Sequence, residues 1–133
     1  MIKYFYIYLI TLVAFLVIDF IWLNFIAKNL YQKEIGTLLL KNPNLLPALL
    51  FYLLFVLALV VIIVVPGIKE DNLIKTLLFA ALFGLTTYAT YDLTNLATLD
   101  GWSIKMTIID LIWGTFISTL TTYFSFYIAG RIL

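Results

Sequence analysis

The sequence contains no cysteine and no histidine. Without cysteine there are no disulfide bonds and no thiolate nucleophiles, and without histidine there is no imidazole for proton transfer or metal binding. Charged residues make up only 11% of the chain and the net charge is +1, so the chain has no basic surface for nucleic acid. A metal held by carboxylates and the identity of any cofactor stay open.

Charge is scarce because apolar residues dominate. They make up 65% of the 133 residues, against roughly 45–50% in soluble domains. A soluble fold of this size could not cover so much apolar surface with so few charged side chains. Lipid as the surrounding solvent removes this conflict, so the composition predicts an integral membrane protein whose main partner is the bilayer.

Four apolar runs each come close to the ~20 residues that a helix needs to cross the hydrocarbon core. Backbone groups cannot stay unpaired in lipid, so the runs predict four transmembrane helices in one all-α domain, residues 1–133. Pro66 and Gly67 are expected to close the second run. The predicted spans are residues 4–27, 45–65, 73–99 and 104–128.

The one long connection, residues 28–44, is predicted to form a short helix that lies in the membrane interface. Its apolar side chains recur at the helical spacing i, i+4, i+7 and i+8, at Tyr31, Ile35, Leu38 and Leu39. An ordinary anchored loop is the alternative. A helix here would rest on the surface nearest to the acidic residues described next.

Three of the four spans contain one aspartate each, at Asp19, Asp92 and Asp110. A carboxylate in hydrocarbon is costly unless it is paired, hydrated or protonated, so an ionisable residue in a span indicates a functional site. Counted from the predicted helix ends, each lies about 12 Å below the surface that carries residues 28–44. No lysine or arginine shares this layer, so the three cannot all stay ionised. The layer predicts a site for a proton or a cation, or protonated aspartates that bond the helices together.

Aromatic and amide side chains share helix faces with these aspartates. Tyr88, Asp92 and Asn95 lie at i, i+4 and i+7 of the third span and therefore on one face. The aspartates of the first and fourth spans are each followed three residues later by a tryptophan, Trp22 and Trp113. We expect Tyr88, Asn95 and both tryptophans to line the same ligand-binding or proton-binding site.

The aspartate–tryptophan pairing is part of a longer internal similarity. Residues 18–26 and 109–117 are identical at six of nine positions, although the two segments belong to helices that cross in opposite directions. Two interpretations remain open. The pair is either an inverted repeat of the kind found in transporters, or two separate cases of a local hydrogen bond between an aspartate and the indole on its own helix.

Small residues indicate where helices approach closely. Ala80 and Gly84 on the third span, and Gly114 and Ser118 on the fourth, form two small-xxx-small faces. Such faces let helix backbones come close together in lipid, where apolar packing alone gives little driving force. These small residues allow the close helix approach that a site shared by several helices needs.

Four motifs follow one another along nearly the whole chain. They are Asp19-Phe-Ile-Trp-Leu23, Phe51-Tyr-Leu-Leu-Phe55, Tyr91-Asp-Leu-Thr-Asn-Leu-Ala-Thr98, which Gly84 precedes, and Ile109-Asp-Leu-Ile-Trp-Gly-Thr115. In this order they resemble a bacterial membrane-protein family, domain-of-unknown-function 2177. The resemblance implies a four-span, multi-pass protein of the bacterial inner membrane, and it lends no biochemical activity.

The residues favour a small carrier or channel that binds or moves a proton, a cation or a small ligand. One alternative is a membrane enzyme that modifies a lipid or an isoprenoid, although the layer lacks the basic residues that a phosphate substrate usually needs. Another is an accessory subunit that does no chemistry. A second copy of the chain is also a candidate partner. Lysine and arginine divide four against four between the two surfaces, so the positive-inside rule does not orient the chain.

Overall fold

The computed structural model describes all 133 residues, and all of its regular elements are helical. Four helices are long and apolar enough to cross a membrane, and a short helix lies between the first two. This confirms the all-α membrane fold. The helices are α1 (Ile2–Ile26), α2 (Lys28–Ile35), α3 (Leu45–Glu70), α4 (Leu73–Thr98) and α5 (Ile104–Ala129).

Polar side chains mark where three of the spanning helices begin. Asn44, Asn72 and Ser103 each accept a hydrogen bond from a backbone N–H group two or three residues further on, at 3.0–3.3 Å. The first turn of a helix leaves its N–H groups without partners, and these side chains supply them. The turns before α3, α4 and α5 are therefore fixed by local sequence.

The helix α3 continues past its predicted end at Val65 and reaches Glu70. Pro66 lacks an N–H group, and in a regular α-helix its ring would clash with the carbonyl four residues earlier. A π-helical turn, Val60–Val64, precedes it, and the N–H group of Val65 bonds to the carbonyl of Val60. We attribute the continuation to this wider turn, which accommodates the proline inside the helix.

The helix α5 lies at the centre of the bundle, with α4 packed closely on one side and α1 on another. The small residues predicted to bring helices together do so. Ala80, Gly84, Gly114 and Ser118 are all buried, and a Cβ atom added to Gly84 would collide with the backbone oxygen of Gly114. α3 packs on α1, and its backbone comes closest to α4 in the π-helical turn and the turns after it. Nearer its start, α3 reaches α4 through side chains, among them Phe55, whose ring packs against Phe83 and Tyr88.

The two ends of the bundle differ, and we name them by what they carry. The α2 surface carries α2 and the turn between α4 and α5, whereas the terminal surface carries both chain ends. α2 is tied to the start of α5 through Glu34, which accepts a hydrogen bond from Ser103 at 3.1 Å and pairs with Lys105 at 3.6 Å. Ile35 is buried beneath it, but Leu38 and Leu39 are exposed. Only part of the predicted apolar stripe is therefore covered.

Candidate functional site

All three predicted aspartates lie inside the bundle. Asp92 is 1% exposed and Asp19 is 7% exposed, while Asp110 is half-buried. Each lies on the helix face that packs against neighbouring helices, as the cost of a carboxyl group in hydrocarbon requires. The three differ in the hydrogen-bond donors that surround them.

Asp19 is fully provided with hydrogen-bond donors. The Tyr52 hydroxyl on α3 donates to its Oδ2 at 2.5 Å, and the Trp113 indole on α5 donates to its Oδ1 at 3.2 Å. Asp19 on α1 thus joins three helices through one carboxyl group. Buried polar groups with such partners stabilise helix packing in a membrane.

Asp110 faces α2, which provides its hydrogen-bond donor. The Tyr31 hydroxyl donates to Asp110 Oδ1 at 3.4 Å and accepts a hydrogen bond from the Trp22 indole at 3.1 Å. Burial, and then the nearby Asp110 carboxyl, raise the pKa of Tyr31 well above its usual range, so the phenol keeps its proton at neutral pH. Trp22 begins a π-helical turn at the end of α1, which the N–H group of Ala27 closes at 2.8 Å. Turns of this kind are frequent at functional sites.

Asp92 is the exception among the three. Neither of its carboxyl oxygens has a hydrogen-bond partner in the protein, although both are buried. The Asp110 carboxyl group lies beside it, close enough for a proton shared between the two groups to bond them. A buried polar group without a partner is uncommon in native proteins and calls for a physical explanation. Asp92 and Asp110, from here on the carboxyl pair, are therefore the two carboxyl groups of the layer that lie side by side.

The two tryptophans bond across the bundle and not along their own helices. Trp22 and Trp113 stack with ring centroids 4.3 Å apart, and neither indole bonds to the aspartate three residues before it. Trp113 on α5 bonds to Asp19 on α1, while Trp22 on α1 reaches Asp110 on α5 through Tyr31. The local hydrogen bond considered from the sequence is therefore not formed. The inverted repeat, the other interpretation of the sequence, stays a prediction.

Two cavities reach the carboxyl pair. The first, the α2 cavity, has a volume of about 250 Å³ and lies beneath α2. The second, the lateral cavity, has a volume of about 310 Å³ and lies between α3, α4 and α5. Asp110 lines both. The α2 cavity is lined by Leu23, Tyr31, Ile35, Leu39, Tyr91, Asp92, Trp102, Met106 and Asp110, and the lateral cavity by Phe51, Thr87, Tyr88, Tyr91 and Asp110.

A larger cavity, of about 530 Å³, lies between α1 and α5 away from the aspartates. Its lining is entirely apolar, and its residues face outward where lipid would lie. Such a groove can hold an acyl chain but provides no group for chemistry. We therefore assign the candidate site to the two smaller cavities.

Residues 4–127 match the DUF2177 family, which is described as a predicted membrane protein. The chain belongs to this family. The match confirms the resemblance seen in the four motifs, and together with the four apolar helices it makes the chain a multi-pass membrane protein in contact with lipid. No curated protein and no solved structure matches the sequence or the fold.

The structure brings most of the sequence-predicted site residues of this DUF2177 member together. Tyr88 lines the lateral cavity with Asp110, and its ring packs against Gly114. Trp22 and Trp113 belong to the hydrogen-bond network of the layer. Asn95 is half-buried and lines neither cavity, because it lies almost one further turn towards the α2 surface.

Two residues of the network, Tyr31 and Tyr52, were not predicted as site residues. Tyr31 was placed in the apolar stripe of α2, and Tyr52 was not singled out. A depth count would have indicated Tyr52, because it lies seven residues after the start of α3 and thus about 10 Å below the α2 surface. A charged residue in a span stands out in the sequence, whereas a neutral donor at the same depth does not.

The arrangement also bears on metal binding. No group of three or more acidic side chains gathers at one point of the structure in a way that could hold an ion. Asp19 uses both oxygens on Tyr52 and Trp113, which leaves the carboxyl pair as the only acidic groups free to share a ligand. The three aspartates thus divide into Asp19, which has donors from two other helices, and the carboxyl pair.

Proposed function

We propose that this DUF2177 protein binds and releases a proton at the carboxyl pair, and that a cation can exchange for this proton. The observation that carries the proposal is the burial of both Asp92 oxygens without a hydrogen-bond donor, beside Asp110. Two ionised carboxylates in such surroundings would repel each other and lack solvation. One proton shared by the pair supplies the missing hydrogen bond and leaves a single negative charge.

The groups around the pair favour proton or cation exchange over binding of an anion. The titratable side chains that line the two cavities, apart from the pair, are tyrosines, namely Tyr31 and Tyr91 in the α2 cavity and Tyr88 and Tyr91 in the lateral cavity. Lys105, at the start of α5, pairs with Glu34 at the α2 surface. No lysine or arginine lines either cavity, so the pair has no permanent counter-charge.

The structural alternative, protonated aspartates that only hold helices together, fits Asp19 better than it fits the pair. Asp19 has a donor from each of two other helices, which is the bonding that a structural role requires. Asp92 has none, and Asp110 borders two cavities. Neither a lipid-modifying reaction nor a purely accessory role is favoured by a specific contact.

The proposal includes a location and a direction of access. The family resemblance implies the bacterial inner membrane, and we propose that this chain resides there. The α2 cavity lies beneath the α2 surface, so the pair would exchange protons with the aqueous side to which that surface faces. The lysine and arginine division leaves open which side that is.

Infrared spectroscopy of the purified protein in lipid tests the proposal. A pH titration should show the carbonyl band of a protonated carboxyl group that persists at a pH where exposed aspartates are ionised. Asp92→Asn keeps the shape of the side chain but removes the titratable group, so the contribution of the carboxyl pair to the band should be lost. Asp110→Asn should also remove or shift it, since the two groups titrate together.

Asp100→Asn, in the exposed turn between α4 and α5, is the matched control and should leave the band unchanged. Circular dichroism should show that all three variants keep their helices. A titration that is the same in Asp92→Asn as in the wild type would overturn the proposal, because the proton would then lie elsewhere.

A further inference from the structure

The lateral cavity has features that the proton site alone does not require. Its five lining residues include three aromatic rings, from Phe51, Tyr88 and Tyr91, and one carboxyl group, from Asp110. A volume of about 310 Å³ is at the lower end of the range for small-molecule sites. A proton needs neither this volume nor aromatic walls.

Aromatic walls around one carboxyl group form a specific kind of recognition site. The faces of aromatic rings carry partial negative charge and attract organic cations, most strongly where water is excluded. The carboxyl group of Asp110 supplies the full counter-charge, and Thr87 adds little because its hydroxyl already bonds to the carbonyl of Phe83 at 2.8 Å. The chemistry of the cavity therefore matches a compact cation with an apolar body.

The cavity opens sideways, towards lipid. Phe51 on α3 is 45% exposed and Tyr91 on α4 is 58% exposed, and both also line the cavity. α3 and α4 approach each other most closely in the later part of α3, and at this level they are joined by side chains such as Phe55. Tyr88, on the inner wall, is held by the Phe55 ring, which meets it edge-on at 6.1 Å, and by Gly114. A ligand that partitions into the bilayer can thus reach Asp110 between the two helices.

We propose that the lateral cavity binds an organic ammonium ion with a small apolar body, which enters from the lipid and places its charge against Asp110. This rests on and deepens the proposed function, because the ammonium ion is then the cation that competes with a second proton for the one negative charge of the carboxyl pair. Such a group can come from a free hydrophobic amine or from the ammonium headgroup of a lipid. Both provide the same chemistry to the cavity.

The placement of the carboxyl pair predicts how the two ligands affect each other. Asp110 borders the lateral cavity, while Asp92 lies behind it in the α2 cavity. The pair with one proton carries one negative charge, which a monovalent cation neutralises. A second proton removes that charge, so the affinity for the cation falls as pH falls.

Benzyltrimethylammonium is a suitable probe, because neopentylbenzene has the same shape without the charge. Binding of each to the full-length protein in a neutral detergent can be measured by calorimetry. We expect the cation to bind and the neutral molecule to bind at least about tenfold more weakly. Asp110→Asn should weaken binding of the cation by about tenfold or more, down to the affinity of its neutral counterpart.

The aromatic contribution has its own test and control. Tyr88→Phe keeps the ring and should retain binding, whereas Tyr88→Leu removes the ring and should weaken binding several-fold. Phe79→Leu on the same helix is the control, because Phe79 is exposed and lies outside the lateral cavity. Equal effects of Tyr88→Leu and Phe79→Leu would overturn the aromatic part of the argument.

Two lipid environments distinguish the sources of the ammonium group. In nanodiscs of phosphatidylethanolamine, binding of the probe should be weaker than in nanodiscs of an uncharged glycolipid, which lacks an ammonium group, if the headgroup ammonium occupies the cavity. Equal affinities would identify the free amine as the ligand. Binding that is indifferent to Asp110→Asn, or equal for the cation and its neutral counterpart, would overturn the inference. The infrared band at the carboxyl pair is independent of this result, so the proton site can stand if the cation site fails.

Discussion

Trp22 and Trp113 lie face to face, with ring centroids 4.3 Å apart and planes inclined by only 9°. They come from α1 and α5, and each indole donates its hydrogen bond away from its own helix. The stack therefore connects the Asp19 network to the network of Tyr31 and Asp110 at the centre of the layer. Both tryptophans lie in the segments 18–26 and 109–117, which are identical at six of nine positions.

The stack should have a spectroscopic signature. Two parallel indoles at this distance couple their electronic transitions, so near-ultraviolet circular dichroism should show a paired signal. Trp22→Phe and Trp113→Phe should each abolish it completely, because the coupling needs both rings. Trp102→Phe, which changes the third tryptophan of the chain, should leave the paired signal in place. Independent, additive losses for the three variants would contradict the stacked geometry.

Asp19 and Asp92 should respond in opposite ways to an apolar substitution. Asp19→Leu leaves the Tyr52 hydroxyl and the Trp113 indole without their acceptor, so the free energy of unfolding should fall by about 1–3 kcal/mol. Asp92→Leu leaves no hydrogen-bond donor of the protein without its acceptor, so the free energy of unfolding should stay the same or rise. Unfolding in mixed micelles with increasing sodium dodecyl sulfate measures both. Equal losses of stability would show that the two aspartates share one structural role.

Gly84 should not tolerate even a methyl group. A Cβ atom there collides with the backbone oxygen of Gly114 and the side chain of Ser118, so α4 and α5 must move apart. Gly84→Ala should lower the free energy of unfolding by about 1–3 kcal/mol. Gly36→Ala is the control, because its Cβ atom would meet only the end of the Gln32 side chain, at 3.3 Å. Similar stability of the two variants would rule out the close approach.

The helix α2 should restrict access to the carboxyl pair from the α2 surface. Met106 is 1% exposed and lines the α2 cavity, so a cysteine introduced there by Met106→Cys reports on opening. Glu34→Gln removes the ion pair with Lys105 and should speed up labelling of that cysteine by a water-soluble maleimide. The matched control is Glu70→Gln, which removes the 2.7 Å ion pair with Lys75 at the terminal surface.

Labelling that is unaffected by Glu34→Gln would assign α2 the role of a passive anchor. The native chain has no cysteine, so the introduced thiol is the only reactive one. The same reporter with Tyr31→Phe tests the inner contact, because this change removes the hydrogen bond between α2 and Asp110. We expect the combination of Glu34→Gln and Tyr31→Phe to open the cavity further than either change alone.

The sequence alone determined the elements and the depth of the acidic residues. The length of an apolar run reflects the thickness of the bilayer, and a capping residue acts on its own turn, so both are local properties. The position of Asp19, Asp92 and Asp110 below one surface follows from the same local counting. The structure extends α3 past Pro66, but the added residues lie at the terminal surface, so the predicted depth of the three aspartates is unaffected.

Only the tertiary structure decided which side chains meet within the layer. A donor bonds to whichever acceptor the packing of helices brings into its reach, and that depends on helix rotation and neighbours. Trp113 is three residues from Asp110 on one helix, yet its indole bonds to Asp19 on another. The same packing gave Asp19 two donors and Asp92 none, although the sequence presents them as equivalent residues at one depth. The lateral cavity beside Asp110 is likewise a product of packing, because no local pattern states how far apart two helices will stand.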